Sequence, residues 1–499
     1  MQVWEIDDRD LDVEACRNLI NSDCTLGLSS ERLSLLQTRR QQLEDRALNG
    51  GTAYYGVNTG FGALCNVTIA KDQLNNLQSN LLRSHACGFG QPASPDVVRL
   101  ALLLKIFTLS RGHSGVRPAL VEFLVELYNR KLIPCVPSMG SLGASGDLAP
   151  LAHLFLPCIG EGHFDHNGNR VAASDMLSRA GLKPPMLEAK EGLALLNGTQ
   201  FSLALLLVNL FAAIRYFDIA NLNAALSMEA FNCSPAFLTA EIHLLRRQEG
   251  QCAAAAQIRT WLEESDLATR PGKSIQDPYS FRCAPQVHGA CMDLINWATN
   301  IASREINAIT DNPIQLHNGD MVSGGNFHAE PLAFASDSLA MALSELANIS
   351  ERRLYQLICG NRGLPDFLTK DPGLSSGYMI VQYAAAAAVS MNKQLSSPSS
   401  VDSIVSSKGQ EDHVSMAANA GLRCRQVAEN TGIVLAMEWM TAARALLLGA
   451  PRPLGPALAN VHTAYQAKFP LVNEDHSPAE RYLPTLRFLE NQLFPDSSR

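Results

Sequence analysis

The apolar residues of this chain recur mainly at helical spacing, and several of these patterns are long. Alanine and leucine are frequent within them, and the alanine run at 384–388 suits close packing between helices. Pro118 is placed as prolines often are in a first helical turn. The pattern predicts helices over residues 96–111, 118–130, 200–226, 331–357, 378–395 and 417–448.

Strand signals are few by comparison. Two Asn-Gly turns, Asn167-Gly168 and Asn318-Gly319, stand between short apolar segments and predict two short hairpins. We therefore expect a mainly α fold. Near residue 200 a loop-rich part gives way to long helices, so we expect an N-terminal part over 1–200 and a long-helix bundle with C-terminal helices over 201–499.

Composition narrows the expected partners and location. The chain has 499 residues, with 40 Lys+Arg against 48 Asp+Glu and a net charge of -8, which makes nucleic acid or an anionic membrane an unexpected partner. The first ten residues do not resemble a signal peptide, and the apolar stretch 203–214, interrupted by Asn209, is short for a membrane span. Twelve scattered cysteines, without Cys-x-x-Cys or zinc-like spacing, favour reduced thiols, a cytoplasmic location and no metal site.

The segment Gly-Ala-Ser-Gly-Asp at 143–147 carries the most informative chemistry. If the Gly146 amide nitrogen attacks the Ala144 carbonyl carbon, the carbonyl oxygen leaves as one water, and the Ser145 side chain then loses a second water, the product is a 4-methylidene-imidazole-5-one ring. Such a ring is a carbon electrophile, which ordinary side chains do not supply and which normally requires a bound cofactor. Glycine permits the close approach of amide and carbonyl, and Asp147 with Pro150 indicates a helix start. A plain Gly/Ser turn before a helix explains the same five residues, so other segments must decide.

Further motifs occur in the loops between the predicted helices. They are YGVNTGFG at 55–62, SHA at 84–86, GSLGASGDLAPLAH at 140–153, EGLALLNGTQ at 191–200, QDPYSFRC at 276–283, GNFHAEP at 325–331 and QEDHVSM at 410–416. Through these motifs the chain resembles the aromatic amino acid ammonia-lyase and aminomutase family. The resemblance implies a mainly α, fumarase/aspartase-like fold with a long central helical bundle and a smaller N-terminal part that carries the prosthetic group. It also implies a homotetramer with shared active sites and no external cofactor.

The resemblance assigns the ring to Ala144, Ser145 and Gly146, and the acid–base work to Tyr55 and Tyr279. A tyrosine with an ordinary pKa near ~10 is a poor base at neutral pH unless its surroundings favour the phenolate. Considered alone, each tyrosine is better explained as a packed aromatic residue whose hydroxyl is hydrogen-bonded.

Arg282 is the natural partner of the substrate carboxylate, because a guanidinium binds a carboxylate through two parallel hydrogen bonds. The resemblance places four more substrate-binding residues in the same pocket: Asn197, Gln276, Phe327 and Gln410. Without it, Arg282 would be interpreted as a salt-bridge residue and Asn197 as a turn residue.

Two positions bear on the substrate. Ser84-His85 is the pattern of the family members that act on histidine, where those acting on phenylalanine or tyrosine carry Phe-Leu or His-Leu. Glu411, which we place in the catalytic set, can hydrogen-bond or charge-pair with an imidazole ring. A satisfied core histidine and a helix N-terminal charge are the alternative interpretations of His85 and Glu411.

We therefore expect deamination of L-histidine to trans-urocanate and ammonia. Two alternatives stay open. One is a tyrosine or phenylalanine ammonia-lyase or 2,3-aminomutase of the same family. The other is a helical scaffold without activity, although a scaffold has no need of the full set of site residues.

Overall fold

Helices make up most of the computed structural model, which describes residues 3–48, 53–450, 452–470 and 475–494. Within these residues the α-helices are α1 Val13–Asn21, α2 Ser30–Leu43, α3 Leu74–His85, α4 Pro95–Ser110, α5 Pro118–Asn129, α6 Leu148–Phe155, α7 Ala173–Arg179, α8 Glu191–Leu196, α9 Gln200–Phe231, α10 Ala240–Arg246, α11 Glu249–Trp261, α12 Tyr279–Arg282, α13 Ala284–Ile306, α14 Glu330–Ile358, α15 Met379–Leu395, α16 Ala417–Leu448, α17 Pro456–Lys468 and α18 Ala479–Leu493.

All six helices predicted from apolar periodicity are confirmed, as α4, α5, α9, α14, α15 and α16. Proline occupies the first turn of both α4 and α5, where its missing N–H has no intrahelical partner to lose. The helix expected after Asp147 is also present, as α6. The pattern missed α13, in which exposed positions are scattered between the buried ones and weaken the apolar signal.

The strands are short and belong to small sheets. They are β1 Val3–Ile6, β2 Thr25–Leu28, β3 Phe89–Pro92, β4 Ile133–Pro134, β5 Pro137–Met139, β6 His163–His166, β7 Asn169–Ala172, β8 Ile314–Gln315 and β9 Met321–Val322. Both predicted hairpins are confirmed: β6 pairs antiparallel with β7 around Asn167-Gly168, and β8 with β9 around Asn318-Gly319. The parallel pair β1 and β2 was not predicted, since α1 separates these strands along the chain.

The chain divides into two compact units that are not continuous in sequence. The first comprises Met1–Val208, Thr299–Asp337 and Pro398–Leu422, and the second Asn209–Ala298, Ser338–Ser397 and Arg423–Arg499. All nine strands of the described residues belong to the first unit. The expected boundary near residue 200, between an N-terminal part and a long-helix bundle, stays a prediction.

The second unit contains a fully buried ion pair. The Arg353 guanidinium donates to Glu438 from Nε (2.5 Å) and Nη2 (2.9 Å), and the hydroxyls of Ser227 and Ser350 donate to the same carboxylate at 2.8 and 2.6 Å. A buried pair is tolerated when hydrogen bonds satisfy its charges, as they do here.

Two helices of the described chain are long and apolar enough to cross a membrane by length and composition, α9 and α16. The apolar stretch 203–214 is part of the 32-residue helix α9, which was predicted over residues 200–226. In the folded chain, however, 83% of the apolar window of α9 and 78% of that of α16 are buried. Apolar helices that are mostly buried in this way are typical of a protein core.

Candidate active site

The Ala-Ser-Gly triplet lies in a tight turn in the first unit. The Gly146 amide donates to the Gly143 carbonyl at 3.3 Å, and Ser145 and Gly146 have φ of 52° and 81°. Glycine adopts this left-handed region at little cost, whereas serine does so only under strain. A Cβ at position 146 would lie 2.1 Å from the Gly198 carbonyl oxygen, so only glycine fits there.

Hydrogen bonds hold this turn against the segment before α9. The Gly198 amide donates to the Ser145 carbonyl at 3.2 Å, and the Asp147 amide donates to the Gly198 carbonyl at 2.8 Å. The buried Asp147 carboxylate accepts from the Ser202 amide and hydroxyl, both at 2.7 Å. Burial raises the pKa of Asp147, and the hydrogen bonds from Ser202 oppose that rise. The turn thus lies at the N-terminal ends of α6 and α9, where unpaired amides favour negative charge.

A cavity of ≈ 640 Å³ opens onto the turn. Ser145 lines it together with Tyr55, His85 and Glu411, and much of the remaining wall is apolar, including Phe61. A second cavity, of ≈ 360 Å³, shares four lining residues with the first and adds others: Tyr55, Gly62, Ser145 and Glu411 are shared, and Phe327 and Gln410 are among those added. Six predicted site residues are therefore brought together in the first unit, as expected for a small-molecule site. They are Tyr55, His85, Ser145, Phe327, Gln410 and Glu411.

Tyr55 is anchored at its hydroxyl. The Gly62 amide donates to the Tyr55 oxygen at 3.1 Å. Burial raises the pKa of Tyr55 above its ordinary value, the hydrogen bond from Gly62 lowers it, and the nearby Glu411 carboxylate raises it further. Burial and Glu411 thus work against a phenolate at Tyr55, so the surroundings that sequence reasoning required for a phenolate are not supplied by these neighbours.

His85 ends α3 and lines the larger cavity. Its Nδ1 lies 2.9 Å from the Leu81 carbonyl oxygen and 3.1 Å from the Ser84 hydroxyl. Since a carbonyl only accepts, Nδ1 carries the proton in the neutral ring and Nε2 is left as an acceptor.

Glu411 and Gln410 are presented by a tight loop. The Ser406 amide donates to the Glu411 carbonyl at 2.9 Å, and the Ser406 hydroxyl donates to the Glu411 carboxylate at 2.6 Å. Ser407 and Lys408 adopt positive φ of 49° and 58° to make the turn. The loop leaves Glu411 half-buried and Gln410 exposed.

Asn197 is buried behind this site and follows α8. Its Nδ2 donates to the Asn312 carbonyl at 2.7 Å, while its Oδ1 has no hydrogen-bond partner among the described residues. It lines neither of the two cavities. Its carbonyl accepts from the Lys105 ammonium at 2.5 Å. Burial lowers the pKa of Lys105 to about 7, with Asp311 opposing that shift.

Sequence reasoning missed Lys105. The available signal was a lone lysine inside the apolar pattern of residues 96–111, at a position where a charged residue has to find buried partners. It finds them in the carbonyl oxygens of Asn197 and, at 3.1 Å, Ala194.

The remaining predicted residues form a group in the second unit. Arg282 donates from Nε to the Asp277 carbonyl and from Nη2 to the Gln276 side-chain oxygen, both at 3.1 Å. Its guanidinium lies 4.4 Å from the centre of the Tyr279 ring, and Tyr279 is 68% exposed. Gln276, Tyr279 and Arg282 do not line the two cavities of the first unit.

The chain is similar to known proteins along most of its length. Residues 11–467 match the model of a family described as aromatic amino acid lyase. The chain is 48% identical to the histidine ammonia-lyase of Aromatoleum aromaticum over 89% of its own length and 84% of that protein. Among solved structures it is similar to histidine ammonia-lyase from Trypanosoma cruzi (TM-score 0.91, 35% identity, covering 100% of this chain and 95% of that one). It is also similar to tyrosine aminomutase from Streptomyces globisporus (TM-score 0.93, 32% identity, covering 100% and 98%).

Proposed function

Because the chain belongs to the aromatic amino acid lyase family, we propose that it is a histidine ammonia-lyase, which converts L-histidine to trans-urocanate and ammonia. One observation carries the proposal: Ser145, held in a left-handed turn, lines the same cavity as His85 and Glu411. An imidazole ring needs polar partners in an otherwise apolar pocket, and the side chains of His85 and Glu411 can both hydrogen-bond to such a ring. The 48% identity to a histidine ammonia-lyase supports the same substrate.

We propose that Ala144, Ser145 and Gly146 form 4-methylidene-imidazole-5-one without an external cofactor. The turn fits this product, since its glycine has no room for a Cβ and its serine is already held at positive φ. The ring would supply an electrophilic carbon, which makes the substrate's amine a better leaving group. Asn197 would lie near the ring.

The other residues would bind the substrate and move protons. Arg282 would hold the carboxylate, with Gln276 and Gln410 beside it. Phe327 would pack against the substrate, and Tyr55 with Tyr279 would do the acid–base work. Since burial and Glu411 raise the pKa of Tyr55, we assign it the role of proton donor in the resting site.

Ser145→Ala is the direct test. The variant keeps a small side chain, so it should fold like the parent, but alanine cannot lose water and nearly all activity should disappear. Peptide mapping of the parent should show residues 144–146 lighter than their plain sequence by two waters, and the variant should not show this loss. Ser138→Ala, in β5 outside the turn, is the matched control and should keep both the mass loss and the activity.

The similarity to a tyrosine aminomutase favours one alternative, an enzyme acting on tyrosine or phenylalanine as a lyase or 2,3-aminomutase. Initial rates on L-histidine, L-tyrosine and L-phenylalanine, with urocanate followed by absorbance and β-amino acids by chromatography, separate the two. We expect urocanate from histidine to dominate. Faster turnover of tyrosine or phenylalanine would refute the histidine proposal but not the family.

We further propose a homotetramer whose active sites are shared between subunits, and a cytoplasmic location. The exposed group around Arg282 lies outside the lining of the cavities and is available to complete the site of another copy. The twelve cysteines are all free thiols, as suits a reducing compartment. Analytical ultracentrifugation and cell fractionation test these two proposals.

A further inference from the structure

Three side chains with metal-ligating atoms meet in the first unit: His328, Glu330 and His413. One ligand atom from each lies within 4.8 Å of those of the other two. His413 Nδ1 is 3.3 Å from His328 Nε2, and His328 Nδ1 is 4.0 Å from Glu330 Oε2. Sequence reasoning expected no metal site, because the third residue is far away along the chain and no zinc-like spacing reveals it.

The Glu330 carboxylate provides a second, independent observation. Its Oε2 atom is buried and has no hydrogen-bond partner among the described residues. An unsatisfied buried carboxylate oxygen is unfavourable, and a bound cation is one of the few groups that can compensate it.

We propose that His328, Glu330 and His413 bind a divalent transition-metal ion of the zinc kind. Two imidazole nitrogens and one carboxylate oxygen form a ligand set that such ions accept, with a further position left open. In a tetrahedral zinc site with Zn–N distances of about 2.0–2.1 Å, two ligating nitrogens lie roughly 3.3–3.4 Å apart. The observed 3.3 Å between His413 Nδ1 and His328 Nε2 matches this separation. Glu330 Oε2 lies 4.0 Å from the other His328 nitrogen, Nδ1, so the carboxylate has to move towards Nε2 to share the ion.

A direct hydrogen bond between the two imidazoles is the competing explanation. The rings are 5.4 Å apart at their centres and inclined by 24°, which allows such a bond. It would pair one nitrogen of each ring, but it would leave Glu330 Oε2 without a partner. An ion held by His328 Nε2 and His413 Nδ1, with the Glu330 carboxylate turned towards it, would give all three groups a partner.

The position of the cluster suggests what the ion does. His328 follows Phe327, and His413 follows Glu411 by two residues; both of these neighbours line the smaller cavity. The ion would therefore join the two loops that carry them. Its role is positioning, and the proposal does not depend on which amino acid the enzyme accepts.

Metal binding to the full-length protein tests the proposal. After treatment with a chelator, Zn²⁺ binding is measured by calorimetry and Co²⁺ binding by its visible spectrum, in the parent and in His413→Gln, His328→Asn and Glu330→Gln. We expect one strong site per chain in the parent. Loss of a ligand should weaken it by at least the roughly ten- to hundredfold seen when a supporting second-shell partner is lost. His166→Gln, which replaces an exposed histidine of the β6–β7 hairpin, should bind like the parent.

The Co²⁺ spectrum distinguishes this site from the free thiols. Nitrogen and oxygen ligation should give no intense sulfur-to-metal charge-transfer band. The proposal is overturned if the parent binds no Zn²⁺, if the three variants bind like the parent, or if the spectrum shows cysteine ligation. Thermal unfolding gives a check that is independent of activity, since Zn²⁺ should raise the Tm of the parent and leave that of His413→Gln unchanged.

Discussion

At the residue scale, the electrostatics of the candidate site depend on how close Tyr55 and Glu411 lie. Both line the two cavities, and the negative charge of Glu411 adds to burial in raising the Tyr55 pKa. One carboxylate would then serve two purposes, as a partner for the substrate ring and as the group that keeps a phenol protonated. Single substitutions can separate these effects.

Glu411→Gln should lower the Tyr55 pKa, because it keeps the shape of the side chain and removes the charge that raises that pKa. If proton transfer by Tyr55 limits turnover, the limb of the pH profile of kcat/KM that reports it should move to lower pH. Turnover of histidine should also fall at every pH. The measurement is kcat/KM across the alkaline range in parent and variant.

Asp412→Asn is the matched control, since it removes an exposed neighbouring carboxylate that does not line either cavity. Its pH profile should follow that of the parent. An unmoved limb in Glu411→Gln, or an equal shift in Asp412→Asn, would show that Tyr55 is not the titrating group.

Arg282→Lys should lower kcat/KM substantially even though the charge is kept. The guanidinium is oriented by its bonds to Asp277 and Gln276, and lysine has neither the second nitrogen nor the planar geometry to reproduce them. Loss of a charge-assisted hydrogen bond corresponds to about 1.5–3 kcal/mol, or roughly ten- to a hundredfold. Steady-state kinetics with L-histidine as the substrate measure this loss of kcat/KM. Arg425→Lys, at an exposed ion pair with Glu429, should leave the rate unchanged, and near-parent efficiency of Arg282→Lys would place the carboxylate elsewhere.

At the element scale, the turn at residues 143–147 is held in place by hydrogen bonds to the segment that precedes α9. The bonds between residues 145–147 and Gly198 bring the start of α6 next to the start of α9. These bonds hold the backbone of the triplet in a tight turn, the form in which we propose that the ring closes. A side chain at position 146 would separate the two segments.

Gly146→Ala should therefore fold less stably and fail to form the ring. Its φ of 81° is unfavourable for alanine, and its Cβ would meet the Gly198 carbonyl. The strain alone is worth about 1–3 kcal/mol. Gly168→Ala is the matched control, because Gly168 has nearly the same φ, 80°, with nothing within 4 Å of the added Cβ.

Thermal unfolding and the mass of residues 144–146 measure both effects. The Tm of Gly146→Ala should fall more than that of Gly168→Ala. Residues 144–146 should keep their full, unreacted mass in Gly146→Ala and should be lighter by two waters in Gly168→Ala. Equal Tm shifts, with the ring formed in both variants, would contradict the role given to the Gly198 contact.

At the scale of the whole molecule, the predicted site residues are distributed over two units. The first holds Tyr55, His85, the triplet and Glu411, and the second holds Gln276, Tyr279 and Arg282. Our proposal of shared sites makes a quantitative prediction for mixed oligomers.

Ser145→Ala and Arg282→Ala, each nearly inactive alone, should regain activity when they are co-expressed in equal amounts. If a site takes Ser145 from one subunit and Arg282 from another, random assembly makes about a quarter of the sites intact. Activity per chain, with the subunit ratio checked by mass spectrometry, measures it. Mixing the two purified variants without exchange of subunits is the control and should stay inactive. No recovery in the co-expressed sample would mean that both residues act from the same chain.

The sequence by itself determined the helical class and the positions of the long helices, and it suggested the triplet that we propose forms the ring. Apolar periodicity is a local property, so α4, α9, α14 and α16 can be recognised from neighbouring residues alone. The two hairpins follow for the same reason, because Asn-Gly sets the turn within four residues. The motif around Ser145 could suggest the proposed ring because such a ring would involve only three consecutive residues.

Only the tertiary structure decided which distant residues meet. It brought Gly198 against Gly146 and the Lys105 side chain within hydrogen-bond distance of the Asn197 carbonyl. It also set Glu411 close enough to Tyr55 to raise the Tyr55 pKa. It also brought His413 to His328 and Glu330. None of these pairs is encoded by spacing, since each depends on how helices and loops far apart in the chain pack together. Burial and charge, which set pKa values and ligand sites, are properties of that packing and not of the residues alone.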